Sequence, residues 1–140
     1  MTGQNTHNKP VAVVIGATSK WQSDGRNTKL AHGSAIDDSD IPVGIRWGVG
    51  GAISQKFAQE GFFTVLTTRS AGNAAALSAA IEEQGNHCMV VELDLSDQDS
   101  VAAAFATIRE QAGDPEVLIY NAGYLRSEEH TFELQAPDHL

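Results

Sequence analysis

The feature that most constrains this chain is the apolar run Val11-Ala12-Val13-Val14-Ile15, cut off by Gly16. Five consecutive apolar residues, mostly β-branched, are too short a run for a helix. They also lack the in-out alternation of a strand with one wet face, so both faces must be buried. A strand of that kind belongs at the centre of a parallel sheet with helices packed above and below it.

The rest of the chain supplies the partners such a strand needs. Short β-prone runs recur at residues 63–67, 89–93 and 117–120. Helical periodicity separates them. From Gly48, residues Ala52, Ile53, Phe57 and Ala58 share a face, and Gly61 is placed to stop the helix. Residues 74–84 follow with Leu77, Ala80 and Ile81 inward and Gly85 as the stop. Ser96 or Asp97 can cap a third helix whose inner stripe is Val101, Ala104, Phe105 and Ile108. The order β-α-β-α-β-α-β requires right-handed crossovers, which predicts an α/β fold: a doubly wound parallel sheet of about four strands in order 3-2-1-4.

Charge narrows the function classes. The net charge is −9, and the nine Lys and Arg are scattered rather than gathered into a stripe, which argues against a nucleic-acid surface. No stretch approaches the ~20 apolar residues of a membrane span, so no membrane partner is expected. Residues 1–10 are polar and lack the apolar core of a signal peptide, and Cys88 is the single cysteine, so a cytoplasmic location is expected. His7, His32, His87, His130 and His139 show no metal-ligand spacing and read as surface residues. Cys88, just ahead of a strand, is better explained by burial than by reactivity.

In a doubly wound sheet the ligand lies beyond the C-terminal strand ends, where the strand order reverses. The segments that land there are Gly16-Ala17-Thr18-Ser19, Gly48-Val49-Gly50, Thr68-Arg69, Asp94-Leu95 and Asn121-Ala122-Gly123. Glycine after the first strand permits a sharp turn. Glycine at the following helix start lets a diphosphate approach bare N–H groups and the positive helix end.

On these residues the chain resembles the short-chain dehydrogenase/reductase family. That family opens with a strand and a Thr-Gly-x-x-x-Gly-x-Gly turn, and carries an acidic residue after the third strand and Asn-Ala-Gly after the fourth. The resemblance runs over residues 11–123 and implies an NAD(P)-binding Rossmann fold. Gly16, Gly48 and Gly50 match the three glycines, with Ser19 at the polar position between them. Asp94 matches the residue that holds the adenine. Asn121, Ala122 and Gly123 match the segment that braces the central strands and lines the cofactor. Val49, Arg69 and Leu95 complete the expected cofactor-binding set.

Two departures stand out. Ile15 replaces the usual Thr before the first glycine, so one polar brace is missing. Residues 20–47 form an insertion within the glycine motif. A structureless loop of that length is uncommon inside a compact domain. It reads as a tolerated surface insertion, or as a lid in which Arg26, Lys29 or Arg46 meets the diphosphate. Trp21 and Trp47 bracket it. They either pack together to close the loop, or Trp47 covers the phosphates.

The second strand ends in Thr67-Thr68-Arg69, with no carboxylate to bind a ribose 2′-hydroxyl and one guanidinium able to fork onto phosphate. NADP(H) is therefore favoured over NAD(H). The family's catalytic Tyr-x-x-x-Lys has no match: four residues beyond Tyr120 and Tyr124 stand Tyr124 and Glu128. The expected function is accordingly the dinucleotide-binding part of an oxidoreductase that moves hydride between a nicotinamide cofactor and a carbonyl or alcohol. This chain alone would be inactive, with a small-molecule substrate bound only by a full-length parent. The alternative is a non-catalytic, NADP(H)-binding regulatory module. Residues 124–140 form a polar tail, either the start of a truncated helix or non-native, since residues 126–135 also read as a translated sequencing adaptor. The fourth strand, left at a sheet edge, invites self-association.

Overall fold

The structure is a computed structural model that describes residues 7–18 and 47–122. It contains a four-stranded parallel sheet in the order β3-β2-β1-β4, as the alternation of runs and periodic segments predicts. The strands are β1 (Val11–Ile15), β2 (Phe63–Thr68), β3 (Cys88–Glu92) and β4 (Pro115–Tyr120), with helices α1 (Gly48–Gln59), α2 (Ala75–Glu83) and α3 (Gln98–Gln111). A 3₁₀ turn at Ala71–Ala74 leads into α2. Every residue of β1 is buried. It pairs with β2 (Val13 opposite Val65) and with β4 (Val13 opposite Leu118), so the run that opened the argument is the spine of the sheet.

Two cores form, one on each face. Val11, Val13 and Ile15 join Val65, Val91, Ala104 and Ile108 beneath α3. Val14, Ala17, Leu66, Leu77 and Ile81 pack with Trp47 and Ala58 beneath α1 and α2. Asp97 rather than Ser96 caps α3, its carboxylate accepting the Asp99 N–H at 3.0 Å.

The structure corrects two details of the sequence reading. Ala52 is exposed, and α1 instead buries Gly50, Gly51, Ser54, Gln55 and Ala58. The helix turns its smallest residues to the sheet because close backbone approach there outweighs apolar content. Ser54 is admitted to that face because its hydroxyl donates to Gly50 O at 2.7 Å. His7 is not a free surface residue. Its ring stacks on Phe63 with centroids 4.3 Å apart, Nε2 lies 2.8 Å from Ala112 O, and Nδ1 accepts the Lys9 N–H. It fastens the chain leading into β1 to the end of α3.

Candidate functional site

The C-terminal ends of the strands bring together segments far apart in sequence. At the centre stands the turn after β1. Gly16 has φ +85°, and a Cβ there would lie 2.7 Å from both N and Cα of Ala122. Only glycine allows the turn to press against the end of β4 in that conformation. Gly50, in the first turn of α1, is as tightly placed. A Cβ on it would overlap Gly16 O and come within 2.8 Å of Ala17 O. The two halves of the interrupted glycine motif are thus in direct backbone contact, although residues 20–46 separate them in sequence.

Side chains fasten this arrangement from both neighbouring strands. The Thr67 hydroxyl, buried at the end of β2, donates to Val14 O at 2.9 Å and accepts the Gly16 N–H at 3.2 Å. The brace that Ile15 cannot supply therefore comes from the adjacent strand. On the other side Asn121 donates from Nδ2 to Gly16 O at 3.1 Å, and its backbone N–H continues the ladder to Ile15 O at 2.8 Å. Thr18 donates to the Thr68 hydroxyl at 3.0 Å, and Ala17 N–H to Thr67 O at 3.0 Å. Thr67 was legible only as part of a strand. Its role arises from the parallel register that sets it opposite Ile15.

The start of α1 has the chemistry of an anion site. Trp47, at the N-cap position, offers no side-chain acceptor, and no acidic residue lies in the first turn. Among the described residues no side chain caps the first N–H groups of the helix, which carry the positive end of the helix dipole. Gly50 lets the helix start pack directly on the Gly16 turn, while Val49, 66% exposed, presents an apolar surface beside it. A dinucleotide diphosphate fits such a cradle of bare backbone. Trp47 does not cover it. The indole is buried in the cluster with Leu77 and Ala58, with Nε1 enclosed and without a hydrogen-bond partner among the described residues.

At the outer strand ends, Asp94 accepts from Ser96 N at 3.0 Å and Ser96 Oγ at 2.6 Å. These hydrogen bonds, with a smaller contribution from the nearby Arg69 charge, lower the Asp94 pKa below its ordinary value. Leu95 is exposed beside it, and Arg69 is exposed at the end of β2. Gly16, Gly48, Val49, Gly50, Arg69, Asp94, Leu95, Asn121 and Ala122 therefore all lie along the strand-end edge of the sheet. Ser19, Gly123 and residues 20–46, with the lid candidates Arg26, Lys29 and Arg46, lie outside the described residues, as does the proposed pairing of Trp21 with Trp47. One group at this edge was missed by the sequence reading. Glu92, the last residue of β3, accepts the Ala71 N–H at 3.0 Å through Oε2, which puts a carboxylate against the loop that follows β2.

Away from the site, Cys88 is half-buried at the start of β3, and burial raises its pKa despite the Ser78 hydroxyl 3.4 Å away. No group of His, Cys, Asp and Glu suited to a metal ion occurs among the described residues. No described helix is long and apolar enough to cross a membrane.

Comparison with known proteins agrees with this geometry. The chain is 35% identical over 98 residues to a 3beta-hydroxysteroid dehydrogenase of Mediterraneibacter gnavus, covering 70% of this chain and 36% of that protein. It is 32% identical over 86 residues to a 3-oxoacyl-[acyl-carrier-protein] reductase of Vibrio harveyi, covering 61% of this chain and 34% of that protein. It thus spans about a third of the length of these curated relatives. Among solved structures, a metagenomic short-chain oxidoreductase in complex with NADP superimposes with a TM-score of 0.59 at 28% identity, over 82% of this chain and 39% of that one. The profile of the short chain dehydrogenase family matches residues 41–138. β1 and Gly16 precede that match and join it through the sheet pairing and the Gly50 contact. The chain belongs to the short-chain dehydrogenase family.

Proposed function

We propose that this chain is the dinucleotide-binding part of an NAD(P)-dependent oxidoreductase. The observation that carries the reading is the backbone contact between Gly50 and the Gly16 turn, which sets the start of α1, without a side-chain cap among the described residues, against the turn at the strand ends. In this reading the N–H groups of Gly48, Val49 and Gly50, with Ser19, hold the diphosphate. Asp94 and Leu95 flank the adenine, and Asn121, Ala122 and Gly123 line the path toward the nicotinamide. Arg69 faces the adenosine ribose. Its guanidinium favours NADP(H) over NAD(H), and the NADP-bound structural neighbour supports that preference.

Bound nicotinamide would supply the hydride chemistry. The chain's own residues bind and orient the cofactor. No Tyr-x-x-x-Lys that could polarise a carbonyl or alcohol occurs in the 140 residues, so this chain is expected to bind cofactor without turnover. Titration of the purified chain with NADPH, followed by energy transfer from tryptophan, tests this. Saturable binding is expected. Absence of saturation up to millimolar NADPH would overturn the proposal.

The sheet geometry supports one partner as well. Among the described residues β4 is an edge strand, with Leu118 56% and Tyr120 69% exposed on the face shared with α3. An unpaired apolar edge pairs readily with a second copy. Light scattering on the purified chain is expected to show concentration-dependent association, and a monomer across the accessible range would refute it.

A further inference from the structure

The loop after β2 carries more negative charge than its own sequence shows. Residues Thr67 to Ala71 contain Arg69 and no acid. Parallel pairing sets Glu92 of β3 directly opposite Thr68 of β2, so both side chains leave the sheet on the same face. From there the Glu92 carboxylate reaches across to the loop after β2 and takes the Ala71 N–H at 3.0 Å. Glu92 is exposed, so its second carboxylate oxygen faces a wet surface. Arg69, exposed directly after β2, adds a small favourable charge to the Asp94 carboxylate.

We propose that Glu92 is a specificity-determining residue that sets the balance between a free and a phosphorylated adenosine ribose at the end of β2. The proposal rests on the dinucleotide reading above. In doubly wound folds a carboxylate at the end of the second strand accepts a ribose 2′-hydroxyl and repels a 2′-phosphate. Here that carboxylate arrives from the neighbouring strand, where inspection of β2 alone cannot find it. Its oxygen occupies the Ala71 N–H that a 2′-phosphate beside Arg69 would otherwise use. A 2′-phosphate gains Arg69 and meets Glu92, while a 2′-hydroxyl gains an acceptor in Glu92 and needs nothing from Arg69. The chain thus takes both cofactors, with discrimination much smaller than Arg69 alone would give.

The test is calorimetric titration of the 140-residue chain and its Glu92→Gln variant with NADP⁺ and NAD⁺ at low ionic strength. Gln keeps the length of the side chain and an oxygen for the Ala71 N–H, and removes the charge. The affinity for NADP⁺ is expected to rise about tenfold, the scale of one charge acting on a phosphate through several ångströms of partly exposed surface. NAD⁺ affinity is expected to stay level or fall slightly. The NADP⁺ gain should shrink as salt is raised, because exposed charges are screened. Equal changes for both cofactors, or an unchanged ratio, would overturn the role of Glu92 while leaving the dinucleotide reading intact. Failure of both proteins to bind either cofactor would overturn that reading and the role of Glu92 with it.

Discussion

Gly50→Ala should be the most damaging single-methyl addition in this chain, because of where the methyl lands. A Cβ at Gly50 overlaps Gly16 O and lies 2.8 Å from Ala17 O and 2.9 Å from Ala17 C. All three are backbone atoms of a turn locked by Thr67, Asn121 and the β1 ladder, so none can swing aside as a side-chain tip would. Relief requires α1 to lift from the sheet, loosening Ser54 and Ala58, both buried beneath it. Overpacking of this kind costs about 1–3 kcal/mol or more, against about 1 kcal/mol gained from the better helix propensity of alanine. A net loss of about 2 kcal/mol is the expectation, measured by urea denaturation with an unchanged m-value. Cofactor binding should weaken in parallel, because the same displacement opens the diphosphate cradle. Gly72→Ala is the control. Nothing lies within 4 Å of its added Cβ and its φ is not positive, so stability should hold or rise slightly. A Gly50→Ala chain as stable as the parent would refute the close-packing argument.

Three further outcomes follow from hydrogen bonds at the strand ends. Thr67→Val keeps the shape and removes the hydrogen bonds to the part-buried Gly16 N–H and to Val14 O, so it should cost about 1–2 kcal/mol, and Thr67→Ser should restore most of it in the same denaturation assay. Asp97→Ala removes the α3 cap and should cost about 1 kcal/mol by thermal melting. Asp94 has a pKa lowered from 3.8 chiefly by its Ser96 hydrogen bonds. Its contribution to stability is therefore present above that value and lost as pH falls through the lower folded value. Ser96→Ala should move the Asp94 titration, followed by NMR, back up toward 3.8, and an unmoved titration would contradict the assignment.

How much of this was legible in the sequence depends on whether the signal was local. Strand β1, the stops at Gly61 and Gly85 and the order of elements were readable, because periodicity and glycine placement act within a few residues. The strand-end residues followed from topology, which sends each strand's C-terminal end to one edge. What escaped was non-local. Thr67 looked like a β-prone filler and is the brace for a turn 51 residues earlier. Glu92 looked like the polar end of a strand, and its carboxylate serves the loop of another. The inner face of α1 was misjudged at Ala52 because hydrophobicity counts apolar atoms, whereas this helix is positioned by the absence of side chains at Gly50 and Gly51. His7 was unreadable because its ring partner Phe63 and its acceptor Ala112 O both lie more than 50 residues away.

The long insert is the severest test of this reasoning, because it splits the motif on which the fold depends. Closing a loop of about 30 residues instead of about 3 costs roughly 2 kcal/mol, since the entropy grows only with the logarithm of length. Against that stand a fully buried β1 paired on both sides, the Thr67 and Asn121 braces, and the Gly16–Gly50 contact, none of which uses a residue from 20–46. The turn is held by the sheet, and the helix start packs against that turn. Deleting residues 20–46 so that Ser19 joins Trp47 should therefore raise stability by about 2 kcal/mol in urea denaturation, the closure entropy recovered, and leave NADPH affinity within about threefold. A large loss of NADPH affinity with stability intact would instead identify the insert as part of the binding site, with Arg26, Lys29 or Arg46 supplying charge to the diphosphate. A large loss of stability would show that the sheet alone does not hold the two glycine segments together.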